Sequence, residues 1–143
     1  MAEIAVGETL SLRLEELQSL AETLWCQLPP GAVVWLTGDL GTGKTAFVQA
    51  MTRVAGSEPA RSPTFALIHE YCARDGVLIH VDCYRLRSPD EALDLDLVEL
   101  TQRARIALIE WPERAGCHAP PPDVHIAFEH SGAPDRRMLE RIR

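Results

Sequence analysis

The chain has 143 residues, 46% of them hydrophobic, and a formal net charge of −7. This length suits one domain with its own core, which we expect to span residues 1–143. The negative charge argues against a protein whose whole surface binds nucleic acid. No apolar run approaches the ~20 residues of a membrane span, and the N-terminus lacks the pattern of a secretion signal. We therefore expect a cytoplasmic protein with no membrane contact.

Strands and helices alternate in the first part of the chain. Polarity alternates from Thr9 to Leu14 as in a short strand, and an amphipathic helix is predicted from Glu15 to Leu28. The continuous apolar run from Ala32 to Thr37 is typical of a central strand that is covered on both faces. The pattern from Lys44 to Ala55 predicts a second helix, which Gly56 would end.

The rest of the chain continues this alternation and adds hairpin signals. It predicts an α/β fold, a three-layer sandwich with a mostly parallel central sheet and antiparallel hairpins at the edge. In chain order the predicted elements are strands at Phe65–Ala73 and Val77–Asp82, a helix at Glu91–Arg103, a strand at Ile106–Trp111, and a closing hairpin of Val124–His130 and Arg137–Ile142.

The segment between the first buried strand and the second helix carries the clearest chemical signal. Gly38 to Thr45, GDLGTGKT, matches the GxxxxGK[ST] pattern of a phosphate-binding loop. Its glycines let the backbone curl so that successive N–H groups face a phosphate. Lys44 would then bridge the β- and γ-phosphates, and the Thr45 hydroxyl would bind Mg²⁺. The sequence therefore predicts a P-loop NTPase-like fold with ATP and Mg²⁺ as cofactors.

The choice of cation in this loop supports the same interpretation. The chain contains 13 arginines and a single lysine, Lys44. A loop wrapped around a phosphate accommodates a compact ammonium group but not a broad, planar guanidinium group. The lone lysine is thus placed where that chemistry requires it.

Two acidic residues end predicted strands and could serve a magnesium ion. Asp82 ends VLIHVD and Glu110 ends IALIE. Nucleotide-bound Mg²⁺ commonly needs a carboxylate at such a position. One acid could lie next to the metal while the other polarises the attacking water, and the pattern leaves both assignments open. His80 shares a strand face with Asp82, and we expect it to be a supporting or core residue rather than a metal ligand.

Four segments together resemble one protein family. They are GDLGTGKTAF, SPTFALIHEY (Ser62 to Tyr71), HVDCYRL (His80 to Leu86) and EWPER (Glu110 to Arg114), in this order. The sequence is similar to the bacterial TsaE family, also called YjeE, from about Leu14 to Arg137. Many families share the phosphate loop, whereas the other three segments at this spacing are specific.

The resemblance implies a role for each matching residue. The implied catalytic residues are Asp82, Lys44 and Thr64. Asp82 would assist hydrolysis, and Thr64 would act as a switch near the γ-phosphate. Thr45 and Glu110 would bind Mg²⁺, while Tyr84 and Arg85 would help to shape the site. The implied nucleotide-binding residues are Asp39, Leu40, Gly41, Thr42, Gly43, Lys44, Thr45, Trp111 and either Arg136 or Arg137, of which we favour Arg136.

The resemblance also implies partners and a biological role. Members of the family act with a threonylcarbamoyl transferase, TsaD, and with TsaB. Together they modify adenosine 37 of tRNA, and ATP hydrolysis by the small subunit is thought to reset the complex between turnovers. The resemblance thus predicts an ATPase that is weak alone and that contacts tRNA indirectly or weakly.

Two other classes of function fit a phosphate loop. A small-molecule kinase would normally close an arginine-rich lid over the phosphates, and the only arginine-dense stretch here is the predicted hairpin at the C-terminus. A GTP-operated switch would need a guanine-reading NKxD motif, which the sequence lacks. The kinase is therefore the stronger alternative.

Overall fold

The computed structural model describes residues 3–60 and 68–143. Within these ranges, strands and helices alternate along most of the chain, with boundaries close to those that the apolar patterns predict. In chain order they are β1 (Thr9–Arg13), α1 (Leu14–Gln27), β2 (Ala32–Thr37), α2 (Lys44–Ala55), β3 (Ile68–Ala73), β4 (Gly76–Asp82), a 3₁₀ segment (Pro89–Leu95), α3 (Leu97–Gln102), β5 (Ile106–Glu110), two 3₁₀ turns (Pro112–Arg114 and Gly116–His118), β6 (Val124–Glu129) and β7 (Arg136–Arg141).

The seven strands of the described residues form one sheet in the order β1-β7-β6-β2-β5-β4-β3. Strands β6, β2, β5 and β4 pair in parallel, whereas β1–β7, β7–β6 and β3–β4 pair antiparallel. The predicted closing hairpin is confirmed as β6–β7. The sheet is mixed rather than mostly parallel, because three of these six pairings are antiparallel: the hairpins β3–β4 and β6–β7 and the pairing of β1 with β7.

The sheet separates two apolar cores. Successive residues of β2 point to opposite faces, so Val34 packs with helices α1 and α2 whereas Val33 packs with α3. Both valines are buried, at 0% and 5% exposed, which explains why β2 is a continuous apolar run. Covering β2 on both faces fixes the strand whose carboxyl end leads into the glycine-rich loop.

The predicted helix from Glu91 to Arg103 is wrong as a continuous element. The chain forms the 3₁₀ segment first and then breaks at Asp96, whose φ of 46° lies in the left-handed region. The Asp96 carboxylate then accepts a hydrogen bond from the Glu99 N–H at 3.4 Å and caps α3. Aspartate favours such capping over helical continuation because its short side chain competes for backbone N–H groups.

Two further predictions can be compared with the structure only within the described residues. The strand predicted from Phe65 to Ala73 is observed from Ile68 onward, and its first three residues lie outside the described ranges. Within residues 3–60 and 68–143, no helix is both long and apolar enough to cross a bilayer.

Candidate functional site

The glycine-rich loop joins β2 to α2 through three left-handed glycines. Gly38, Gly41 and Gly43 have φ angles of 133°, 77° and 120°, which side chains disfavour. A Cβ atom on Gly38 would lie 2.4 Å from the Phe128 carbonyl oxygen of β6. The loop thus curls tightly against the neighbouring strand, and glycine is required there by space as well as by backbone conformation.

Lys44, the first residue of α2, is only 5% exposed. Its Nζ atom donates hydrogen bonds to the Gly38 carbonyl oxygen and, at 2.8 Å, to that of Asp39. Burial lowers the pKa of Lys44, while the negative charges of Glu110 and Asp82 oppose that shift. Among the described residues, no carboxylate lies within ion-pair distance of this ammonium group. The loop therefore holds a buried positive charge that carboxylates of the described residues approach but do not contact.

The remaining loop residues support a concave backbone. The Thr42 hydroxyl donates to the Asp39 carbonyl oxygen at 2.7 Å and closes the curl. The first helical hydrogen bond of α2 runs from the Phe47 N–H to the Gly43 carbonyl oxygen, so the N–H groups before it have no helical partner. Thr45 and Leu40 are exposed. This helix end offers unpaired donors and a positive dipole to an anion.

The two predicted acidic residues lie side by side at the carboxyl ends of neighbouring parallel strands. The Cα atoms of Asp82 in β4 and Glu110 in β5 are register partners, and Glu110 also pairs with Leu36 of β2. Because β2 leads directly into the loop, this register brings both acids to the same edge as Lys44. The two acids thus lie at strand ends beside the loop, and their roles stay predictions.

The surroundings of these acids differ. Glu110 is 5% exposed, and its Oε2 atom lies 2.5 Å from Nε2 of His80, which is 3% exposed. Asp82 is half-buried and accepts a hydrogen bond from the Tyr84 N–H at 3.0 Å. Burial, followed by the charge of Glu110, raises the pKa of Asp82, and the Tyr84 hydrogen bond partly offsets this shift. Glu110 is thus held by a buried side chain, whereas Asp82 is held by backbone.

Aromatic rings form one wall of the site. Trp111 directly follows β5, and its φ of 54° turns the chain sharply. Nζ of Lys44 lies 4.8 Å from the centre of the Trp111 ring, and the Tyr84 ring lies 5.0 Å from it. The guanidinium group of Arg114 stacks 4.7 Å from Tyr84 and 5.3 Å from Trp111. These contacts fix the indole beside the loop.

Arg114 had no role in the sequence prediction, although it lies within the EWPER segment. A signal for Arg114 is its position three residues after Trp111. The 3₁₀ turn Pro112–Arg114 brings its side chain back to the Trp111 ring. Its Nη1 atom also donates to the Tyr84 carbonyl oxygen at 2.7 Å, which joins the ends of β4 and β5.

Of the two hairpin arginines, Arg137 is the one that lines the loop cavity. A Cβ atom on Gly43 would lie 2.4 Å from Cδ of Arg137, so the missing side chain admits the arginine. Arg136 instead donates to the Ser11 carbonyl oxygen at 3.1 Å and lines a second groove, which Gly41 and Arg137 also line. The geometry therefore favours Arg137 over Arg136 as the cation next to the loop.

These groups enclose a cavity of about 490 Å³. Its volume falls within the range of small-molecule sites, roughly 300–1,000 Å³. Thr64, the predicted switch, lies outside the described residues. The other predicted site residues that line the cavity are Leu40, Gly41, Gly43, Lys44, Thr45, Asp82, Tyr84, Arg85, Glu110 and Trp111.

Comparison with known proteins identifies relatives of the whole fold. The sequence profile of the family described as "Threonylcarbamoyl adenosine biosynthesis protein TsaE" matches residues 12–138. The crystal structure of YdiB from Bacillus subtilis superposes with a TM-score of 0.69 and 27% identity, over 94% of this chain and 85% of that one.

Two curated relatives carry the name tRNA threonylcarbamoyladenosine biosynthesis protein TsaE. The protein of Rickettsia conorii is 37% identical over 117 residues, which cover 80% of this chain and 66% of that protein. The protein of Bacillus subtilis is 35% identical over 127 residues, which cover 87% of this chain and 78% of that protein. The matched part of the chain thus spans 66% and 78% of the length of these two relatives.

Proposed function

Because the chain belongs to the TsaE family, we propose that it is a Mg²⁺-dependent ATPase that serves the threonylcarbamoylation of adenosine 37 in tRNA. The observation that carries the proposal is the buried ammonium group of Lys44, which donates to backbone carbonyl oxygens and has no carboxylate of the described residues within ion-pair distance. Leaving a buried charge without a counter-charge costs stability. That cost is explained if the loop binds a polyanion. We also propose that the fold has the layers of a P-loop NTPase, in which such a loop follows a central strand.

A triphosphate fits the groups that surround Lys44. The glycine cradle and the helix end present N–H donors, and Lys44 and Arg137 line the same cavity. These donors would bind the phosphates and neutralise their charge where charge grows during transfer. The Trp111 ring would cover Lys44 and keep water from the ammonium group. We propose that Asp39 to Thr45 hold the phosphates and that Trp111 flanks the nucleotide.

Magnesium fits the oxygen atoms at the same edge. Thr45 is exposed at the start of α2, and Glu110 lines the cavity with only Oε2 engaged by a hydrogen bond among the described residues. Hydroxyl and carboxylate oxygens are the ligands that Mg²⁺ prefers. We propose that Thr45 and Glu110 bind the ion. When bound, it would screen the phosphate charge.

Asp82 suits the remaining role, which is to receive or polarise the attacking water. It is half-buried beside Glu110, and its raised pKa makes its carboxylate a better base than an exposed aspartate. It keeps its position through the Tyr84 N–H, so it need not bind the metal to be oriented. Thr64, which the family resemblance places near the γ-phosphate, remains a prediction as a switch residue.

The family also supplies the proposed partners. We propose that the protein works with a TsaD-like threonylcarbamoyl transferase and a TsaB-like protein, and that hydrolysis resets their complex between turnovers. The net charge of −7 suits a subunit that contacts tRNA indirectly or weakly. A protein that serves tRNA modification would act in the cytoplasm, which is the compartment that we propose.

The test is ATP hydrolysis by the purified chain, alone and after adding the transferase and its partner. We expect slow hydrolysis alone, a strict requirement for Mg²⁺, and faster turnover with the partners. Recovery of a threonylcarbamoyl transferase with the tagged native protein would support the biological role. Transfer of the phosphate to a metabolite instead of water would support the kinase and contradict the proposal.

A further inference from the structure

His80 and Glu110 form a buried contact that the proposed ATPase chemistry does not itself explain. His80 lies in β4, two residues before Asp82, and Glu110 ends β5. The atoms His80 Nε2 and Glu110 Oε2 lie 2.5 Å apart, and the two side chains are 4% and 6% exposed. Among the described residues this is the only hydrogen bond of the Glu110 carboxylate. The orientation of Glu110 therefore depends on a single partner.

The donor and the acceptor of this contact follow from the chemistry of the two groups. Nδ1 of His80 is buried and has no hydrogen-bond partner within residues 3–60 and 68–143. A carboxylate can only accept, so Nε2 must carry the proton that it donates to Glu110. Nε2 is thus the donor and Oε2 of Glu110 the acceptor of this hydrogen bond.

Burial and packing hold this ring in place. His80 stacks against the His69 ring of the adjacent strand, with ring centres 6.2 Å apart and an angle of 21° between the planes. The antiparallel pairing of β3 and β4 sets these two residues opposite each other. The donor is therefore fixed by strand pairing and not by a mobile loop, which is how a partner can orient a ligand side chain.

From this geometry we infer that His80 is the positioning residue of the cation site. Its Nε2–H group donates a hydrogen bond to Oε2 of Glu110, which orients the carboxylate and leaves Oε1 available to bind the metal ion. The same contact distinguishes the two acids, because no side chain in the described part of the chain donates to Asp82, which is held by the Tyr84 N–H. This inference rests on the proposed function and adds the reason why Glu110, and not Asp82, binds the ion.

The experiment compares variants of His80 in the full-length protein. A fluorescent ATP analogue reports nucleotide binding in EDTA and during a Mg²⁺ titration. His80→Leu removes the donor, and His118→Leu removes a histidine that does not line the cavity. We expect His80→Leu to raise the half-saturating Mg²⁺ concentration by about 10–100-fold. Binding in EDTA should change by less than about twofold, and His118→Leu should behave as the wild type.

Conservative variants separate positioning from packing. The side-chain nitrogen of glutamine reaches about as far as Nε2, whereas that of asparagine corresponds to Nδ1. His80→Gln should therefore keep the Mg²⁺ dependence of the wild type, and His80→Asn should lose it. This pair decides the matter if His80→Leu does not fold. In a Glu110→Gln background, His80→Leu should cause no further change in the Mg²⁺ requirement.

The outcomes distinguish this inference from the proposed function. If the wild type binds no nucleotide, or binds it without any effect of Mg²⁺, the proposed ATPase fails and the inference fails with it. If the wild type requires Mg²⁺ and His80→Leu keeps the same half-saturating concentration, only the positioning role is overturned. Equal defects in His80→Gln and His80→Asn would also overturn it, because they would show that ring packing alone is needed.

Discussion

The glycine-rich loop and the acidic strand ends meet in one cavity but are built differently. In the loop, Lys44 contacts the carbonyl oxygens of Gly38 and Asp39, which are six and five residues away in the chain. At the strand ends, His80 reaches Glu110 across 30 residues. The loop is thus a local device, whereas the acid pair depends on strand register. Changes in the loop should abolish ATP binding. Changes at the strand ends should affect the Mg²⁺ requirement and the rate of hydrolysis separately.

The largest effect is expected at Lys44. Lys44→Ala removes a cation whose charge-assisted hydrogen bonds to phosphate are worth about 1.5–3 kcal/mol each, so the Kd for ATP should rise by about 100-fold or more. Lys44→Arg should fail similarly, because a guanidinium group does not fit where the ammonium is 5% exposed. Isothermal titration calorimetry measures both affinities.

Folding controls accompany this test. Lys44→Met removes the buried charge but keeps the apolar stem, so it should raise the melting temperature of the free protein while abolishing binding. Arg103→Ala removes an exposed cation and should leave binding unchanged. Normal ATP affinity in Lys44→Ala would show that the loop is not the phosphate site.

The acids at the strand ends should give two different defects. Asp82→Asn should slow hydrolysis by about 100-fold or more, as the loss of a general base does, with an unchanged Mg²⁺ requirement. Glu110→Gln should raise the half-saturating Mg²⁺ concentration while sparing binding in EDTA. Steady-state hydrolysis over a Mg²⁺ titration separates the two. The opposite pattern would mean that the acids exchange roles.

A glycine substitution tests how tightly the loop is packed. Gly38→Ala sets a Cβ atom 2.4 Å from the Phe128 carbonyl oxygen, at a φ of 133°. Gly132→Ala has a φ of 76° with nothing within 4 Å. We expect Gly38→Ala to lower the free energy of unfolding by about 2–5 kcal/mol and Gly132→Ala by about 1–2 kcal/mol. Equal losses in urea titrations would show that the loop is not packed against β6.

The smallest expected effect concerns pH and the stability of the free protein. Burial raises the pKa of Asp82, so the unfolded state loses this proton at lower pH than the folded state does. The ionised carboxylate therefore costs stability once the pH rises above the ordinary value of 3.8. Asp82→Asn should raise the melting temperature at pH 7 more than at pH 3. The exposed control Asp135→Asn should show no such difference, and a matching pH trend in it would contradict the assignment.

The sequence predicts the loop region well because its contacts are local. Apolar runs and glycines place β2 and α2 at Ala32–Thr37 and Lys44–Ala55, as observed. The helix at Glu91–Arg103 is mispredicted because its apolar spacing conceals the capping preference of Asp96. Periodic apolar spacing indicates which face of a helix is buried, but it does not indicate where the helix is interrupted.

The strand ends are only partly predictable. Asp82 and Glu110 are recognisable as strand-end acids, but the separate roles that we propose for them rest on the His80 contact and on the parallel register of β4 and β5. Likewise, the place of Arg137 rather than Arg136 in the wall of the cavity follows from the pairing of β7, which no local pattern records. Tertiary pairing decides which side chains meet, so it must be known before roles can be assigned.

The central claim is tested most directly by a crystal structure with Mg²⁺ and a non-hydrolysable ATP analogue. The account predicts phosphate oxygens on the backbone N–H groups of residues 38–45 and on Nζ of Lys44, with the metal bound by Thr45 and Glu110. A triphosphate bound elsewhere, with the loop empty, would contradict it.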